Sequence, residues 1–283
     1  MGFSFHTGET GPLHLCGHRG HSIGAPENTL AAMRACHDEG GRSCEIDTVL
    51  TSDGEIVVLH DLSVDRTTDG SGPASALTAA EITKLDAGSW FGPEFVGERI
   101  STLTHFLMLA RELDMGLEVE VKEKVNLDGY IRELKKIAAD PANLERMMMI
   151  SFDHASLKRI KKEIPGILTG GIAHERYGDP LAVVKCADLD ELCIDLAVFN
   201  LEDARRLKAN GIAIRCHAYA PKKFEEAVRN GLDWTETLKT ALSERLIDTL
   251  SGDDVAWLRR FAEENGRADR HPAVRSQPSS ALS

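Results

Sequence analysis

The sequence has no long apolar run and no export signal. Its 283 residues contain no stretch of about 18 consecutive apolar residues, the length that a membrane-spanning helix needs. The first residues, MGFSFHTGETGPLHL, lack the basic and apolar regions of a signal peptide. We therefore expect a cytoplasmic protein with no membrane span.

Positive charge and paired cysteines are also scarce. The formal net charge is −12, which argues against a nucleic-acid-binding surface because phosphate backbones select for excess Lys and Arg. An anionic substrate would thus need a local group of positive side chains. The 6 cysteines, at positions 16, 36, 44, 186, 193 and 216, form no C-x-x-C pair, and we expect reduced thiols packed as small apolar side chains.

Short apolar runs alternate with amphipathic stretches of helix length. Eight runs are predicted strands: LHLC (13–16), SCEIDTVL (43–50), GLEVEV (116–121), MMMIS (147–151), GILTGGI (166–172), ELCID (191–195), GIAIRC (211–216) and LIDTL (246–250). Predicted helices follow them, the first over 28–39 and the last over 252–264. Repeated strand–helix units in a chain of this length favour a TIM (β/α)8 barrel, with a doubly wound open sheet as the alternative.

Two segments break the alternation. Residues 62–100 are rich in Gly, Asp, Ser and Thr and follow the second strand, so they are predicted to be an insertion on the catalytic face of the barrel. Residues 265–283 lose all periodicity and are predicted to be a flexible C-terminal tail. The rest, residues 1–264, is predicted to form a single domain.

Chemically active side chains collect where the predicted strands end. His18 and Arg19 leave the first strand, and Glu27 and Asn28 open the next helix. The segment PENT (26–29) is also typical of simple helix capping, although capping requires neither His nor Arg.

Carboxylates alternate along two of the strands. Glu45 and Asp47 lie two residues apart and therefore share one face of an extended strand, as do Glu118, Glu120 and Lys122 on another. Buried carboxylates need a cation, so Glu45, Asp47 and Glu120 are candidate ligands of one hard divalent ion, Mg²⁺ or Ca²⁺, with Mn²⁺ as a third candidate. A salt-bridged barrel interior is the alternative interpretation.

The order of motifs over residues 13–124 resembles that of the glycerophosphodiester phosphodiesterase (GDPD) family. It runs H-R-G, P-E-N-T, E-x-D, a D-G turn, H-D and E-x-K, and ISFDHASLKRIKKEIPGI (150–167) resembles the family's fifth-strand region. The resemblance implies a TIM barrel with a GDPD-type insertion after strand 2. The last third departs from the family: RCHAYAP (215–221) replaces W-T-V-N, and IDTLSGDD (247–254) replaces T-D-x-P.

The resemblance implies hydrolysis of a small anionic phosphodiester. This reaction needs charge neutralisation on the phosphoryl oxygens and a proton for the leaving alcohol. Arg19 and Lys122 would bind the phosphate beside the metal ion, and His18 and His60 would be general acid and base, in either order. The nucleophile is either a water molecule held by the metal or a neighbouring hydroxyl of the substrate.

Other residues are predicted to support the reaction or to shape the pocket. Glu27, Asn28 and Asp61 would orient the catalytic groups. Candidate pocket residues are Trp90, Phe91, Phe152, His154, His217 and Tyr219. Alternatively, Trp90 and Phe91 anchor the insertion and His154 only starts a helix.

The predicted substrate is a glycerophosphodiester, cleaved to an alcohol and glycerol phosphate. Two alternatives stay open at this point. One is a sugar phosphodiester of the agrocinopine type, because the strand carrying RCHAYAP departs from the common pattern. The other is a non-catalytic phosphoester-binding barrel, which would be expected to have lost a catalytic histidine or carboxylate.

Overall fold

The predicted strands form a closed barrel in the computed structural model, which describes residues 3–5 and 11–267. The strands are β1 (His14–His18), β2 (Ser43–Leu50), β3 (Ile56–Val58), β4 (Gly116–Val121), β5 (Met147–Ser151), β6 (Leu168–Ala173), β7 (Glu191–Asp195), β8 (Ala213–His217) and β9 (Thr249–Gly252). Their order is β1-β9-β8-β7-β6-β5-β4-β2-β3, and a further β1–β2 pairing closes the sheet. Only β3 pairs antiparallel among these strands. The TIM barrel is therefore confirmed, and the open-sheet alternative is wrong.

Helices connect the barrel strands. They are α1 (Leu30–Asp38), α2 (Ala79–Ile82), α3 (Leu103–Leu113), α4 (Leu127–Ala138), α5 (Pro141–Leu144), α6 (His154–Glu163), α7 (Pro180–Ala187), α8 (Leu201–Lys208), α9 (Pro221–Arg229), α10 (Trp234–Ser243) and α11 (Val255–Glu264). Polar side chains cap several of them; Thr29, for example, accepts a hydrogen bond from the Ala32 amide. Asp153 caps α6 in the same way, and this helix begins only three positions after the last residue of β5.

Strand β5 shows how the core divides between the inside and the outside of the barrel. Met147 and Met149 pack in the large apolar cluster that also contains the buried faces of the helices. Met148 and Ile150 belong instead to a smaller cluster with Phe5 and Cys193. Because Met148 lies in register with the interior residue Glu118, this second cluster lies in the barrel interior.

Charged side chains form another part of the barrel interior. Glu118, with an exposed fraction of 0%, lies 3.0 Å from the guanidinium of Arg215, which also donates a hydrogen bond to Ser251 Oγ. Glu191 is buried nearby, and burial raises its pKa to about 8. This group lies beneath the ends of the strands that carry the candidate site.

The insertion between β2 and α3 has a small core of its own. This core packs against Val49 of β2, and its other apolar members are Val57, Leu59, Val64, Ala74, Ile82, Ala87 and Ile100. The carboxylate of Asp86 accepts hydrogen bonds from the backbone amides of Gly88, Ser89 and Gly97 and so holds the loop together. The chain enters the insertion through β3, after a turn at Gly54, whose φ of 86° favours glycine.

The C-terminal part differs from the predicted bounds. Strand β9 begins at Thr249, three residues later than predicted, and α10 is an additional helix before it. Residues 268–283, most of the predicted tail, lie outside the described residues, whereas Arg267, within the predicted range, has a buried side chain. Within the described part of the chain, no helix has both the length and the apolar character to cross a membrane.

Candidate active site

A cavity of about 400 Å³ lies at the carboxyl ends of the barrel strands. Nine residues predicted from the sequence line it: His18, Arg19, Glu45, His60, Glu120, Lys122, Phe152, His217 and Tyr219. They come from β1, β2, β4, β5, β8 and the segment after β3. Closure of the barrel brings together predicted residues as distant in the sequence as His18 and Tyr219.

The segment after β1 has an unusual backbone. Arg19 and Asn28 both have a φ of 59°, a left-handed conformation that costs energy in residues other than glycine. Gly20, with a φ of 87°, lies so close to α1 that a Cβ atom would be 2.6 Å from the backbone of Ala32. The H-R-G motif thus requires glycine for close packing against the helix.

Asn28 orients one of the carboxylates instead of capping the helix. Its side-chain amide donates to Asp47 Oδ2 at 2.8 Å, and its Oδ1 accepts from the Asp47 amide at 3.1 Å. Because Thr29 is the N-cap of α1, the simple capping interpretation does not apply to Asn28.

Glu45, Asp47 and Glu120 form a buried cluster in which one ligand atom from each lies within 4.8 Å of the others. Lys122 Nζ lies 3.1 Å from Asp47 and 2.8 Å from Glu120, and Arg19 Nε lies 3.3 Å from Asp47.

The charges in this cluster are unevenly balanced. Burial and the negative charge of Asp47 raise the pKa of Glu45 and bring that of Glu120 to about 7. Burial opposes ionisation of Asp47 too, but the charges of Lys122 and Arg19 lower its pKa. The three carboxylates outnumber the two cations beside them, Lys122 and Arg19. Three converging carboxylates that neighbouring cations do not fully neutralise are a set of oxygen ligands that fits a hard divalent cation.

His18 and His60 each form a hydrogen bond with a carboxylate. His18 Nδ1 lies 2.7 Å from Asp253 Oδ1, and His60 Nδ1 lies 2.7 Å from Asp61 Oδ1. Burial lowers the pKa of His18, but the hydrogen bond to Asp253 and the charge of Glu45 outweigh it and raise the pKa overall. In both histidines the carboxylate fixes the ring, so that Nε2 is left for the cavity.

Arg66 of the insertion joins two parts of the site from outside the cavity. Its guanidinium donates to both carboxylate oxygens of Glu27, at 2.7 and 2.8 Å, and to Asp61 Oδ2 at 2.6 Å. Glu27 in turn accepts a hydrogen bond from Arg19 at 2.9 Å. These contacts lower the pKa of Asp61 to about 2, chiefly through the Arg66 hydrogen bond. Arg66 therefore connects the His60 carboxylate partner to the Arg19 side chain.

Three predicted pocket residues lie outside the cavity lining. The indole of Trp90 donates to the Ala87 carbonyl at 2.9 Å, and Phe91 packs edge to face against Trp90 and Phe95 within the insertion. His154 is the first residue of α6, and its Nε2 lies 3.2 Å from the Ile172 carbonyl oxygen. Packing within the insertion and the start of the helix account for these positions.

Sequence reasoning missed several residues of the cavity. Those with polar side chains are His174, Cys193, Asp195, Arg215, Lys223 and Asp253. His174, Asp195 and Asp253 follow or end β6, β7 and β9, so their position at a strand end is the signal that could have identified them. Cys193 and Arg215 lie within β7 and β8, and Lys223 lies in α9. For Asp253 the imperfect closing motif was a second signal.

Residues 18–243 match the Glycerophosphoryl diester phosphodiesterase family. The chain belongs to this family. The resemblance to this family, given above from the motifs, is thereby confirmed.

Individual relatives support the same assignment. The chain is 42% identical over 154 residues to a glycerophosphodiester phosphodiesterase of Caldanaerobacter subterraneus subsp. tengcongensis, a match covering 54% of this chain and 63% of that protein. It is 38% identical over 166 residues to a putative glycerophosphodiester phosphodiesterase of Bacillus subtilis, covering 59% of this chain and 68% of that protein. The chain thus matches somewhat under two thirds of the first relative's length.

A solved structure shares the fold. It is an Oleispira antarctica phosphodiesterase in complex with the product sn-glycerol-3-phosphate. The TM-score is 0.74 at 25% identity, and the alignment covers 88% of this chain and 96% of that one.

Proposed function

We propose that this GDPD-family protein is a metal-dependent hydrolase of glycerophosphodiesters. The observation that carries the proposal is the single cavity in which the carboxylates Glu45 and Glu120, the cations Arg19 and Lys122 and two carboxylate-held histidines meet. Each group that phosphodiester hydrolysis needs is represented. A barrel that only binds phosphoesters would not require this complete set.

Charge neutralisation is the first requirement. The substrate phosphate is an anion, and Arg19 and Lys122 would hold it through charge-assisted hydrogen bonds. Glu45, Asp47 and Glu120 would hold the divalent cation, Mg²⁺, Ca²⁺ or Mn²⁺, which when bound polarises the phosphoryl oxygens. Arg19 and Lys122 are already oriented by these carboxylates, so little reorganisation is needed when the phosphate arrives.

Proton transfer is the second requirement. His18 and His60 would act as general acid and base, one donating a proton to the leaving alcohol and the other removing a proton from the nucleophile. Asp253 and Asp61 would each accept a hydrogen bond from Nδ1–H and thereby keep Nε2 directed to the reaction. His18 Nε2 lies 4.0 Å from Glu45, which places it at the edge of the carboxylate cluster.

The substrate class follows from the relatives. Those described above are named for glycerophosphodiesters, and the Oleispira antarctica enzyme holds sn-glycerol-3-phosphate as product. We therefore propose cleavage of deacylated phospholipids to an alcohol and glycerol phosphate. The sugar-phosphodiester alternative is not favoured.

Hydrolysis of glycerophosphocholine and glycerophosphoethanolamine by the metal-stripped protein, with and without Mg²⁺, Ca²⁺ or Mn²⁺, tests the proposal. We expect metal-dependent release of glycerol phosphate. His18→Ala and His60→Ala should each lower kcat by about 100-fold or more. His105→Ala, on the helix α3 outside the cavity, is the matched control.

Metal binding can be measured separately from activity. Glu120→Gln should weaken binding of the same cations in calorimetry, since it removes one of three carboxylate ligands. Full activity in either histidine variant would contradict the acid–base assignment. Absence of hydrolysis in the wild type at every metal tested would favour the phosphoester-binding barrel.

A further inference from the structure

A third histidine–carboxylate pair lines the same cavity, on the side away from the carboxylate cluster. His174 follows β6, Asp195 ends β7, and His174 Nδ1 is hydrogen-bonded to Asp195 Oδ2. Neither residue belongs to the motifs that carry the family resemblance, and the proposed chemistry uses neither.

The pair is well supported by its neighbours. The Asp195 side chain is 10% exposed, whereas that of His174 is 59% exposed. The ring of Phe152 packs against the His174 imidazole, with centroids 4.6 Å apart. On the other side, Tyr219 is half-buried and faces Asp195; its partial burial, the charge of Asp195 and a hydrogen bond to it raise the pKa of the phenol.

Tyr219 is itself held in an unusual conformation. Its φ is 64°, and its ring stacks on that of Trp234 at a centroid distance of 5.4 Å. A strained backbone at a cavity wall is a common feature of ligand-binding sites. Lys223 extends its ammonium over the Tyr219 ring, 3.5 Å from the centroid.

The hydrogen-bonding character of this side limits what it can bind. With the Nδ1 proton of His174 directed to Asp195, Nε2 is a hydrogen-bond acceptor, and Lys223 is a nearby donor. The carboxylate of Asp195 disfavours an anionic group, and the ammonium of Lys223 disfavours a cationic one. A neutral hydroxyl, which both donates and accepts, satisfies both sides.

We propose that His174, held by Asp195, binds a hydroxyl group of the alcohol portion of the diester. The inference rests on the proposed function and deepens it, because it assigns a recognition role to residues outside the phosphate and metal groups. The hydroxyl belongs either to the glycerol or to another polyhydroxylated alcohol joined to the phosphate. His174 is thus a specificity-determining residue, and Asp195 is a positioning residue.

Three substrates separate these sources. Glycerophospho-4-nitrophenol carries hydroxyls only on glycerol, the methyl phosphodiester of inositol carries them only on the other alcohol, and bis(4-nitrophenyl) phosphate carries none. His174→Phe keeps a ring against Phe152 but removes the acceptor. The matched control is His37→Phe, from a surface pair in which His37 Nδ1 lies 3.4 Å from Asp38.

We expect His174→Phe to lower kcat/KM about 10- to 100-fold for a hydroxylated substrate, and less than about twofold for bis(4-nitrophenyl) phosphate. His174→Gln, which retains an acceptor, should recover part of the loss. His37→Phe should match the wild type on all three substrates. A loss confined to one hydroxylated substrate identifies the alcohol that is recognised.

Other outcomes overturn the inference. An equal loss on all three substrates would assign His174 to the chemistry or to the general structure of the site, and no loss on any would remove it from recognition. If the wild type hydrolyses none of them, the proposed function fails by itself. Calorimetry with sn-glycerol-3-phosphate, myo-inositol 1-phosphate and methyl phosphate then decides: equal binding of all three by wild type and His174→Phe refutes the hydroxyl contact.

Discussion

Replacing Arg215 with Met is expected to destabilise the barrel strongly. Arg215 Nη1 lies 3.0 Å from Glu118 Oε2, and the two side chains are 6% and 0% exposed. At an effective dielectric constant of about 20, two unit charges at that distance attract by about 5–6 kcal/mol. Desolvation offsets much of this attraction in the native pair. Without Arg215, however, Glu118 keeps its burial and loses its cation, and such changes cost about 3–5 kcal/mol.

Urea denaturation at pH 7, followed by circular dichroism, measures this loss. The matched control is Arg205→Met, which breaks a two-pronged ion pair with Glu244 on the surface. Since solvent screens exposed pairs, the control should lose far less stability. The double variant Glu118→Met/Arg215→Met should regain most of the loss, because neither charge of this pair is then left buried without its partner. Equal losses for Arg215→Met and Arg205→Met would refute the reasoning.

Three further predictions concern single side chains. Asp253→Asn should lower kcat/KM about 100-fold or more without changing the melting temperature, because it removes the acceptor that fixes the His18 ring; retained activity in steady-state assays would contradict this. Arg66→Ala should lower kcat about tenfold through the released Asp61 side chain, with partial recovery in Arg66→Lys, since Lys keeps the charge but loses the two-pronged geometry; the same assays check this. Glu191→Gln should alter the pH dependence of unfolding: burial raises the folded-state pKa from 4.5 to about 8, so the wild type loses stability as pH rises through that window. Urea unfolding should therefore show a larger gain for the variant at pH 8.5 than at pH 5, and an equal gain at both would count against a buried neutral carboxyl.

The strands of the barrel could be predicted best where the sequence contains one continuous run that is buried throughout. Strands β2 and β5 have the predicted bounds because their runs are continuously buried in the structure. Strand β9 begins later than predicted. The apolar pair Leu246–Ile247 is buried in the core before the strand starts, and the Asp248 carboxylate accepts the Ile214 amide hydrogen at that point. An apolar run in the sequence does not distinguish buried residues that precede a strand from the residues of the strand itself.

Some residues of the candidate site could be predicted from local motifs, and others could not. Local motifs identified His18, Glu45 and Glu120 because strand spacing fixes which side chains share a face. Asp253 lies 235 positions from His18, and only the β1–β9 pairing brings them together. No local pattern encodes a contact made by barrel closure, which is also why Arg66 was missed across the insertion.

The order of the strands separates two sets of proposed roles along the chain. The groups proposed to act on phosphate and metal all precede residue 123, whereas Phe152, His174 and Tyr219 come from later strands. Asp253 is the exception: it lies late in the sequence but forms a hydrogen bond with His18. Under the proposed function, exchange of the later strands would change the preferred alcohol, while every group proposed for hydrolysis except Asp253 would be kept. Chimaeras of two relatives joined in the loop between β4 and α4, provided that they keep the aspartate beside His18, would be a direct route to new diesterases.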